Sequence, residues 1–386
     1  MKQCIACCLD VIADRQVDEV RPNCQKAAKT HLIETLFAIQ IDWSPNACIS
    51  HFHERQTWIN NMQLRFGPMA MSVLLSVIAP SAQAEEFRIG AWNIEWLGFP
   101  NMRGRPGKDI EQSPVDLAAY IAEAKLDVLA LEEIGVETNK APWTSKPLQQ
   151  TFEVLKSAHG QTWQYMLFPK VDYPKDTEDF ITRGQHLGIA WRSDRAKMTG
   201  VPFSIPVGEN ETFGNKFWER RANAIKFSFG EGKTDVVFIP VHLKSNRNDA
   251  NPSDKLFTQK QRLAEAKAFV AHLKSLKSKF HDEDIVVLGD TNILGPEDET
   301  SKILVDAGFV DLNQKDEGTT AAWGAGYSSA PFDRIFVPAN QLEFKNSVQK
   351  VHKTKGGTDD EIKDFKKRYS DHYLVSCVIE VGIDDD

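Results

Sequence analysis

Polar residues that can bind cations or transfer protons stand next to several apolar runs of the sequence. Asp290 and Asn292 come directly after one such run, and His242 ends another. Asp371 and His372 immediately precede a third. Carboxylate, carboxamide and imidazole groups gathered in one place can hold a divalent cation and exchange protons with a substrate. The question is whether the fold brings these strand ends together.

Further residues of this kind end other apolar segments. Asn93 follows "FRIGAW", Glu132 and Glu133 follow "DVLAL", and Asp333 opens "DRIFV". Each has a simpler interpretation on its own, since Asn is a common turn residue and Asp333 beside Arg334 could form a structural ion pair. Oxygen ligands suit Mg²⁺, which binds one or two carboxylates and keeps waters and substrate phosphate. The set and its order therefore carry the inference.

The elements that must position these residues are intermixed strands and helices. Ser113, followed by Pro114 and Asp116, is typical of a helix start, and Leu256–Leu276 has the pattern of an amphipathic helix. Short apolar runs predict strands. In chain order these are "FRIGAWNIEW", "DVLALEE", "HLGIAW", "NAIKFSF", "VVFIPVH", "FDRIFV" and "YLVSCVIEV".

Length and composition predict one main globular domain. The chain has 386 residues, of which 41% are hydrophobic, so it can bury a large core. Its formal net charge is -8, with both signs distributed along the chain. This balance lacks the overall basic character of many nucleic-acid-binding proteins, but binding needs only a local basic face.

The first 84 residues differ from the rest. They contain five of the six cysteines, namely Cys4, Cys7, Cys8, Cys24 and Cys48. The segment from Met62 to Ala84 has the layout of a secretory signal peptide, because Arg65 precedes an apolar run and the small residues Ala82 and Ala84 precede Glu85. The apolar run is too short to span a bilayer, so we expect no stable membrane anchor.

This layout predicts three parts of the chain. We expect translation to start at Met62, residues 1–61 to be a mis-assigned upstream leader, residues 62–84 to be a signal peptide, and 85–386 to be the catalytic domain. A small metal-binding leader built on the early cysteines is the alternative, although no second pair at zinc-finger spacing follows. The protein would then be periplasmic or secreted, with Cys377 as its single cysteine.

The ordered set of segments resembles the endonuclease/exonuclease/phosphatase superfamily, in its pancreatic deoxyribonuclease-like form. The similarity covers nearly all of Phe87–Val381 and rests on six segments in the family's order: "WNIEW", "DVLALEE", "VHLKS", "LGDTN", "FDRIFV" and "SDH". The resemblance implies a four-layer α/β/β/α sandwich, in which two packed mixed β-sheets are flanked by helices. The polar strand ends would then meet at one rim.

The same resemblance implies roles for these residues. Metal ligands would be Asn93, Glu133 and Asp371, with Glu132 standing where the family has Gln. The catalytic groups would be His242, Asp290, Asn292, Asp333 and His372. Asp290 would orient the attacking water, and His372, with its ring held by Asp333, would polarise it. Asn292 would bind a phosphate oxygen, and His242 would donate to the phosphate or to the leaving oxygen. The implied cofactor is Mg²⁺, with Mn²⁺ as the alternative.

Two positions depart from the family's pattern. Thr291 occupies the place of a bulky residue between Asp290 and Asn292, a change that we expect to be tolerated. Before "NAIKF" the family often has an Arg two residues ahead of a Pro, whereas this chain has Arg220, Arg221 and Ala222. We expect Arg220 to contact substrate phosphate, with Arg221 as the alternative.

The sequence leaves three hypotheses for the function and its substrate. The leading one is an exported nuclease acting on DNA or RNA, favoured by "VHLKSN" and by eight basic residues between Lys345 and Arg368 that could track a phosphate backbone. The second is a phosphatase or phosphodiesterase for a small or lipid phosphoester. The third is a binding protein without turnover, which metal-dependent activity would exclude. Protein partners are unknown.

The signal-peptide hypothesis predicts the start of the mature protein. If residues 62–84 are removed on export, N-terminal sequencing of the exported protein should begin at or next to Glu85. Mature protein that still carries the cysteine-containing leader would contradict the prediction.

Overall fold

Two six-stranded β-sheets form the centre of the fold in a computed structural model of the chain. The structure describes residues 85–98, 112–137, 141–169, 185–206, 218–246, 252–322, 328–354 and 357–382, except for the side chains of 252–256. The predicted leader and signal peptide lie outside these ranges, so the proposed division of the chain stays a prediction.

Every strand that the sequence predicts is present, in the predicted order. The strands are β1 (Glu85–Leu97), β2 (Val128–Ile134), β3 (Trp163–Leu167), β4 (His186–Arg192), β5 (Lys197–Ser204), β6 (Asn223–Ser228), β7 (Asp235–His242), β8 (Ile285–Asp290), β9 (Phe309–Asp311), β10 (Asp333–Pro338), β11 (Lys350–Val351) and β12 (Val375–Val381). The α-helices are α1 (Pro114–Ala124), α2 (Lys146–His159), α3 (Pro252–Phe280), α4 (Glu299–Asp306) and α5 (Asp359–Arg368).

Each sheet has a parallel pair at its centre. Sheet A has the order β11-β12-β1-β2-β4-β3, and sheet B has the order β5-β6-β7-β8-β10-β9. In sheet A the parallel pair is β1 and β2, connected through α1, and in sheet B it is β7 and β8, connected through α3. The crossover helices return the chain over the outer face, as parallel connections require.

The antiparallel neighbours bring their amino ends to the same edge. β10 pairs with β8 so that Asp333 lies opposite Asp290, and β12 pairs with β1 so that Val375 lies opposite Ala91. The carboxyl ends of the two parallel pairs therefore share an edge with the starts of β10 and β12. This arrangement explains why carboxylates follow some strands in the sequence and precede others.

Alternation along the strands divides the core into three layers. Between the sheets pack side chains such as Ile89, Val128 and Leu288, all completely buried. A second cluster lies between sheet A and helices α1 and α2, and a third lies between sheet B and helices α3 and α4. The predicted four-layer α/β/β/α sandwich is confirmed.

The helix start at Ser113 is also confirmed, because the Ser113 side chain accepts a hydrogen bond from the Asp116 backbone. The amphipathic helix is longer than predicted, since α3 spans Pro252–Phe280. The sequence pattern missed several elements, among them edge strand β5, which contains Gly200 and Pro202 and has no fully buried residue. Within the described ranges, no helix combines the length and the apolar character that a membrane span requires.

Gly289 leaves no room for a side chain between β8, Val241 of β7 and Glu132 of β2. Its φ is 139°, and a Cβ there would lie 2.0 Å from the Val241 carbonyl oxygen and 2.9 Å from Glu132 Oε1. We predict that Gly289→Ala lowers the free energy of unfolding by about 3 kcal/mol or more, because backbone strain and a backbone clash add together. Urea denaturation followed by circular dichroism measures the change.

Gly200→Ala is the matched control. Gly200 also has a positive φ, 76°, but a Cβ there would meet no atom within 4 Å. Only the left-handed backbone penalty of about 1 kcal/mol should appear. Equal destabilisation by the two substitutions would show that the contact with Val241 and Glu132 does not restrict position 289.

Candidate active site

Strand alternation delivers five polar side chains to one end of the space between the sheets. Asn93, Glu132, His242, Asp290 and Asp333 each lie an even number of residues from strand positions that face this space. All five are buried. On each of these strands a polar side chain therefore stands where the apolar core between the sheets stops.

Glu133 reaches the same place through its backbone. Strict alternation would direct this side chain towards the helix-covered face of sheet A, away from Glu132. Its φ is 59°, and the pairing of β2 with β4 shifts register between Leu131 and Ile134. The irregular backbone turns Glu133 back, so that its Oε1 accepts a hydrogen bond from Asn93 Nδ2 at 3.1 Å.

Asp290 lies at the centre of the site. Its Oδ2 accepts a hydrogen bond from Asn93 Nδ2 at 3.2 Å and lies 3.3 Å from His242 Nε2 and 3.8 Å from His372 Nε2. Its Oδ1 accepts from the Asn292 backbone at 3.0 Å. One carboxylate oxygen therefore faces both imidazoles.

His372 and Asp333 form the predicted dyad. His372 Nδ1 lies 2.8 Å from Asp333 Oδ2, which also accepts a hydrogen bond of 2.5 Å from Thr319 Oγ1. Burial opposes a charged ring, but the carboxylate of Asp333 outweighs it and raises the pKa of His372 well above its ordinary value. Sequence reasoning missed Thr319, because no motif signals a hydroxyl donor 14 residues from its partner.

His242 is held as a neutral ring. Burial lowers the pKa of His242 well below its ordinary value, and the nearby charge of Arg220 lowers it further. Its Nε2 lies 3.9 Å from Glu133 Oε1, in addition to its contact with Asp290. A neutral imidazole with its proton on Nε2 can donate to an acceptor in this space.

Asn292 is built into a backbone network. Its φ is 52°, and its Nδ2 donates to the Leu243 carbonyl at 3.2 Å. Asn246 donates from its side chain to the Asn292 carbonyl at 2.7 Å and from its backbone to Asn292 Oδ1 at 3.4 Å. Asn246 is the last residue of "VHLKSN", and the sequence alone predicted no role for it. The structure shows that it fixes the conformation of Asn292.

The two candidate phosphate-binding arginines differ in position. Arg220 donates from Nε to the His242 carbonyl and from Nη2 to the Leu243 carbonyl, both at 3.0 Å. Its charge also opposes the rise in the pKa of Glu133. Arg221 instead donates to the Ile205 carbonyl. Arg220 is therefore the arginine against the site, where it braces the end of β7; contact with phosphate stays a prediction for both.

Asp371 lies at the outer rim of the site. Its side chain is 27% exposed, its backbone donates to Glu95 Oε2 at 3.0 Å, and its Oδ1 lies 3.9 Å from His372 Nε2. Lys366 Nζ lies 3.8 Å from Asp371 Oδ2. Of the three predicted metal ligands, Asn93 and Glu133 are in direct contact, and the charge of Asp371 acts on Glu133.

The basic segment from Lys345 to Arg368 is folded rather than a simple loop. It contains β11 and α5, and Phe365 of α5 is buried. Lys353 pairs with Glu317, and Arg368 bonds to Asp116 on α1. Lys355 lies outside the described residues. Pairing within the protein leaves less charge for a phosphate backbone than the sequence suggested.

The donor set of the site fits a hard divalent cation. Burial raises the pKa of Glu133 to about 7, with a further contribution from the charge of Asp371. Burial likewise raises the pKa values of Glu132 and Asp290. Buried carboxylates that repel one another gain most from a positive ion between them. Among the described atoms, His242 Nδ1, Glu132 Oε1 and Asp333 Oδ1 have no hydrogen-bond partner.

Two groups of side chains could hold such an ion. Oxygen and nitrogen atoms of Glu132, His242 and Asp290 lie within 4.8 Å of one another. However, Glu132 is completely buried, and its Oε2 already accepts from the Asp290 backbone at 2.8 Å. The second group consists of Asn93, Glu133 and Asp371, on the more open side of the site. Mg²⁺ keeps several waters, so the second group suits it better.

Comparison with known proteins finds only distant similarity. No family model and no curated protein matches the sequence. Three solved structures are similar to this chain at low sequence identity. The human Nocturnin catalytic domain with bound sulfate anion has a TM-score of 0.49 at 16% identity, covering 77% of this chain and 95% of that one.

An endonuclease/exonuclease/phosphatase family protein from Bacteroides thetaiotaomicron has a TM-score of 0.48 at 15% identity, covering 79% of this chain and 100% of that one. D. rerio TDP2 complexed with single strand DNA product has a TM-score of 0.45 at 17% identity, covering 77% and 99%. At these values the function is inferred from the chain's own side chains.

The dyad predicts a large and selective loss of turnover. His372→Ala removes the imidazole that faces Asp290, and Asp333→Asn removes the charge that supports it. Both should lower kcat about 10² to 10⁴-fold while the protein stays folded, which is the usual contribution of a general acid–base group. Turnover assays with circular dichroism check this.

His159→Ala is the control of the same residue type, since His159 is exposed in the last turn of α2. It should keep wild-type turnover. If His372→Ala also retained nearly all of its activity, the dyad would have no role in the reaction.

Proposed function

We propose that the chain is a Mg²⁺-dependent phosphodiester hydrolase that cleaves nucleic acid with an activated water. The observation that carries the proposal is the position of Asp290 Oδ2 opposite both His242 and His372. A phosphodiester attack needs an oriented water, neutralised charge on the phosphate and a proton for an oxygen of the substrate. The described side chains supply groups for each.

The residues divide these tasks by position. A water between Asp290 and His372 would contact both: the carboxylate of Asp290 would accept its proton, and the protonated ring of His372, held by Asp333, would polarise it. His242 Nε2, from the opposite side, would donate to a phosphate oxygen or to the leaving oxygen. Asn292 would contact a second phosphate oxygen, with its conformation fixed by Asn246.

Asn93, Glu133 and Asp371 would hold the cation at the open side of the site. A bound divalent ion supplies charge neutralisation at the phosphate. Arg220 supports the arrangement from behind, since it is buried against the His242 and Leu243 carbonyls. Action in the periplasm or outside the cell follows only if the signal-peptide hypothesis is correct.

A small or lipid phosphoester is the second candidate substrate. The observation that favours it is the internal pairing of the basic segment, because Lys353, Lys363 and Arg368 all have acidic partners. A nuclease would use such cations for the phosphate backbone. Lys366 near Asp371 is compatible with either class.

The test compares substrates with and without metal. Purified protein is incubated with plasmid DNA, RNA and a chromogenic phosphodiester in excess chelator, and then with added Mg²⁺ or Mn²⁺. We expect cleavage of nucleic acid only with the metal, because Asn93, Glu133 and Asp371 offer the oxygen ligands that Mg²⁺ and Mn²⁺ prefer. Full activity in chelator would contradict the mechanism.

The substrate panel separates the two candidates. Metal-dependent cleavage of the small diester, with plasmid and RNA intact, would support the small-phosphoester hydrolase instead. Asp290→Asn should abolish every metal-dependent activity in the panel, which excludes a contaminating nuclease. Turnover that persists in this variant would show that another site is responsible.

A further inference from the structure

The chain leaves sheet B directly after His242, and helix α3 holds the segment that follows. β7 ends at His242, and the Leu243 backbone donates one further hydrogen bond to the Asp290 carbonyl at 2.9 Å. Lys244 lies beyond this pairing and is partly buried. Backbone polar groups at such a position need partners from elsewhere in the fold.

Two buried side chains of α3 are these partners. Glu265 Oε2 accepts a hydrogen bond from the Lys244 backbone at 2.8 Å, and Arg262 Nη1 donates to the Lys244 carbonyl at 3.1 Å. Glu265 is 1% exposed, and Arg262 is completely buried. The two residues are three positions apart, so they lie on the same face of the helix. One helix therefore binds both the backbone donor and the backbone acceptor of Lys244.

The segment is also held from the side of Arg220. Lys244 Nζ donates to Glu219 Oε1 at 2.5 Å, and the next residue, Arg220, donates to the carbonyls of His242 and Leu243. The end of β7 is thus fixed by Arg220, and the residue that follows it is fixed by α3. Both contacts act on the backbone around His242.

The ring of His242 needs this support from its backbone. His372 has Asp333 to hold its ring at Nδ1, whereas His242 Nδ1 has no hydrogen-bond partner among the described atoms. On the other side of the ring, Nε2 faces Asp290 Oδ2 at 3.3 Å. The direction of the His242 ring therefore depends on where the backbone places it.

Glu265 contributes a hydrogen bond rather than a charge at neutral pH. Burial raises the pKa of Glu265 to about 8, although the hydrogen bond from Lys244 and the charge of Arg220 oppose the rise. The carboxyl group is therefore mostly protonated at pH 7. Glutamine has the same length and a carbonyl oxygen, so it can replace this acceptor.

We propose that Glu265 is a positioning residue of the hydrolysis, which keeps the ring of His242 against Asp290 by binding the Lys244 backbone. This inference rests on the proposed function, since Glu265 itself does not touch the reacting groups. Without its hydrogen bond the segment after β7 is free to shift, and His242 Nε2 moves away from Asp290. A displacement of about 1 Å at a catalytic group lowers the rate by up to about 10²-fold.

Two substitutions separate the hydrogen bond from the carboxyl group. Glu265→Asp keeps the carboxyl group but is one methylene too short to reach the Lys244 backbone, whereas Glu265→Gln keeps the reach and the acceptor. We expect Glu265→Asp to lower kcat at least about tenfold with little change in KM, because His242 acts on the transition state. Glu265→Gln should restore kcat to near the wild-type value. The assay is the metal-dependent cleavage of the substrate panel.

A double-mutant cycle tests whether Glu265 acts through His242. In protein that carries His242→Ala, Glu265→Asp should lower kcat by no more than about twofold, because the group that Glu265 positions is already absent. An equal loss in both backgrounds would overturn the proposal, since Glu265 would then support the fold alone. Wild-type kcat in Glu265→Asp, or an equal loss in Glu265→Gln, would also overturn it.

Glu343→Asp is the matched control. Glu343 is also buried, and it accepts a hydrogen bond from Thr234 Oγ1 at 3.2 Å, next to the opposite end of β7. Shortening this side chain should leave kcat unchanged. A loss of kcat equal to that of Glu265→Asp would overturn the proposal.

The NMR signal of the His242 ring gives a measurement that needs no turnover. This signal, assigned by its absence in His242→Ala, should shift in Glu265→Asp and keep its position in Glu265→Gln and Glu343→Asp. An unshifted signal in Glu265→Asp would overturn the proposal whether or not the protein is a hydrolase. The expected shift in a protein without turnover would support the contact between Glu265 and the His242 segment and contradict only the proposed function.

Discussion

The hydrogen bond from the Asp290 backbone to Glu132 Oε2 is the contact on which the active-site geometry depends. It joins sheet B to sheet A at 2.8 Å between residues that are 158 positions apart in sequence. It forms only because Gly289 has no side chain, which lets Glu132 Oε1 and the Val241 carbonyl come close. With the two sheets joined at this point, Asn93 and the imidazole of His242 both reach Asp290.

Concentrated negative charge is the second constraint on this end of the molecule. The carboxylates of Glu133 and Asp290 both accept from Asn93 Nδ2 with little exposure to solvent, so burial raises the pKa of each carboxyl group. The protein offsets part of this cost with Arg220 behind the site and with Lys366 near the rim. The remainder favours a divalent cation, and the same electrostatics would be used to neutralise a phosphate.

The two ends of sheet A differ in their pattern of charge. One end gathers carboxylates around Asp290, while the other mixes the basic residues Arg88, Lys125, Arg192 and Arg195 with Glu86 and Asp127. The basic helix α5 belongs to neither pattern, because Arg368 bonds to Asp116 and Lys363 to Asp360. Positive charge in the sequence therefore indicates little about substrate binding until its partners are known.

The sequence by itself determined the strands that carry the polar residues and the helix start at Ser113, because alternation and capping are local properties. Only the tertiary structure decided that Glu132 lies behind Asp290, that a positive φ turns Glu133 into the site, and that Thr319 and Asn246 hold their neighbours in place. These features arise where distant segments pack together. No local pattern encodes such a contact, since its energy depends on which residues the fold places side by side.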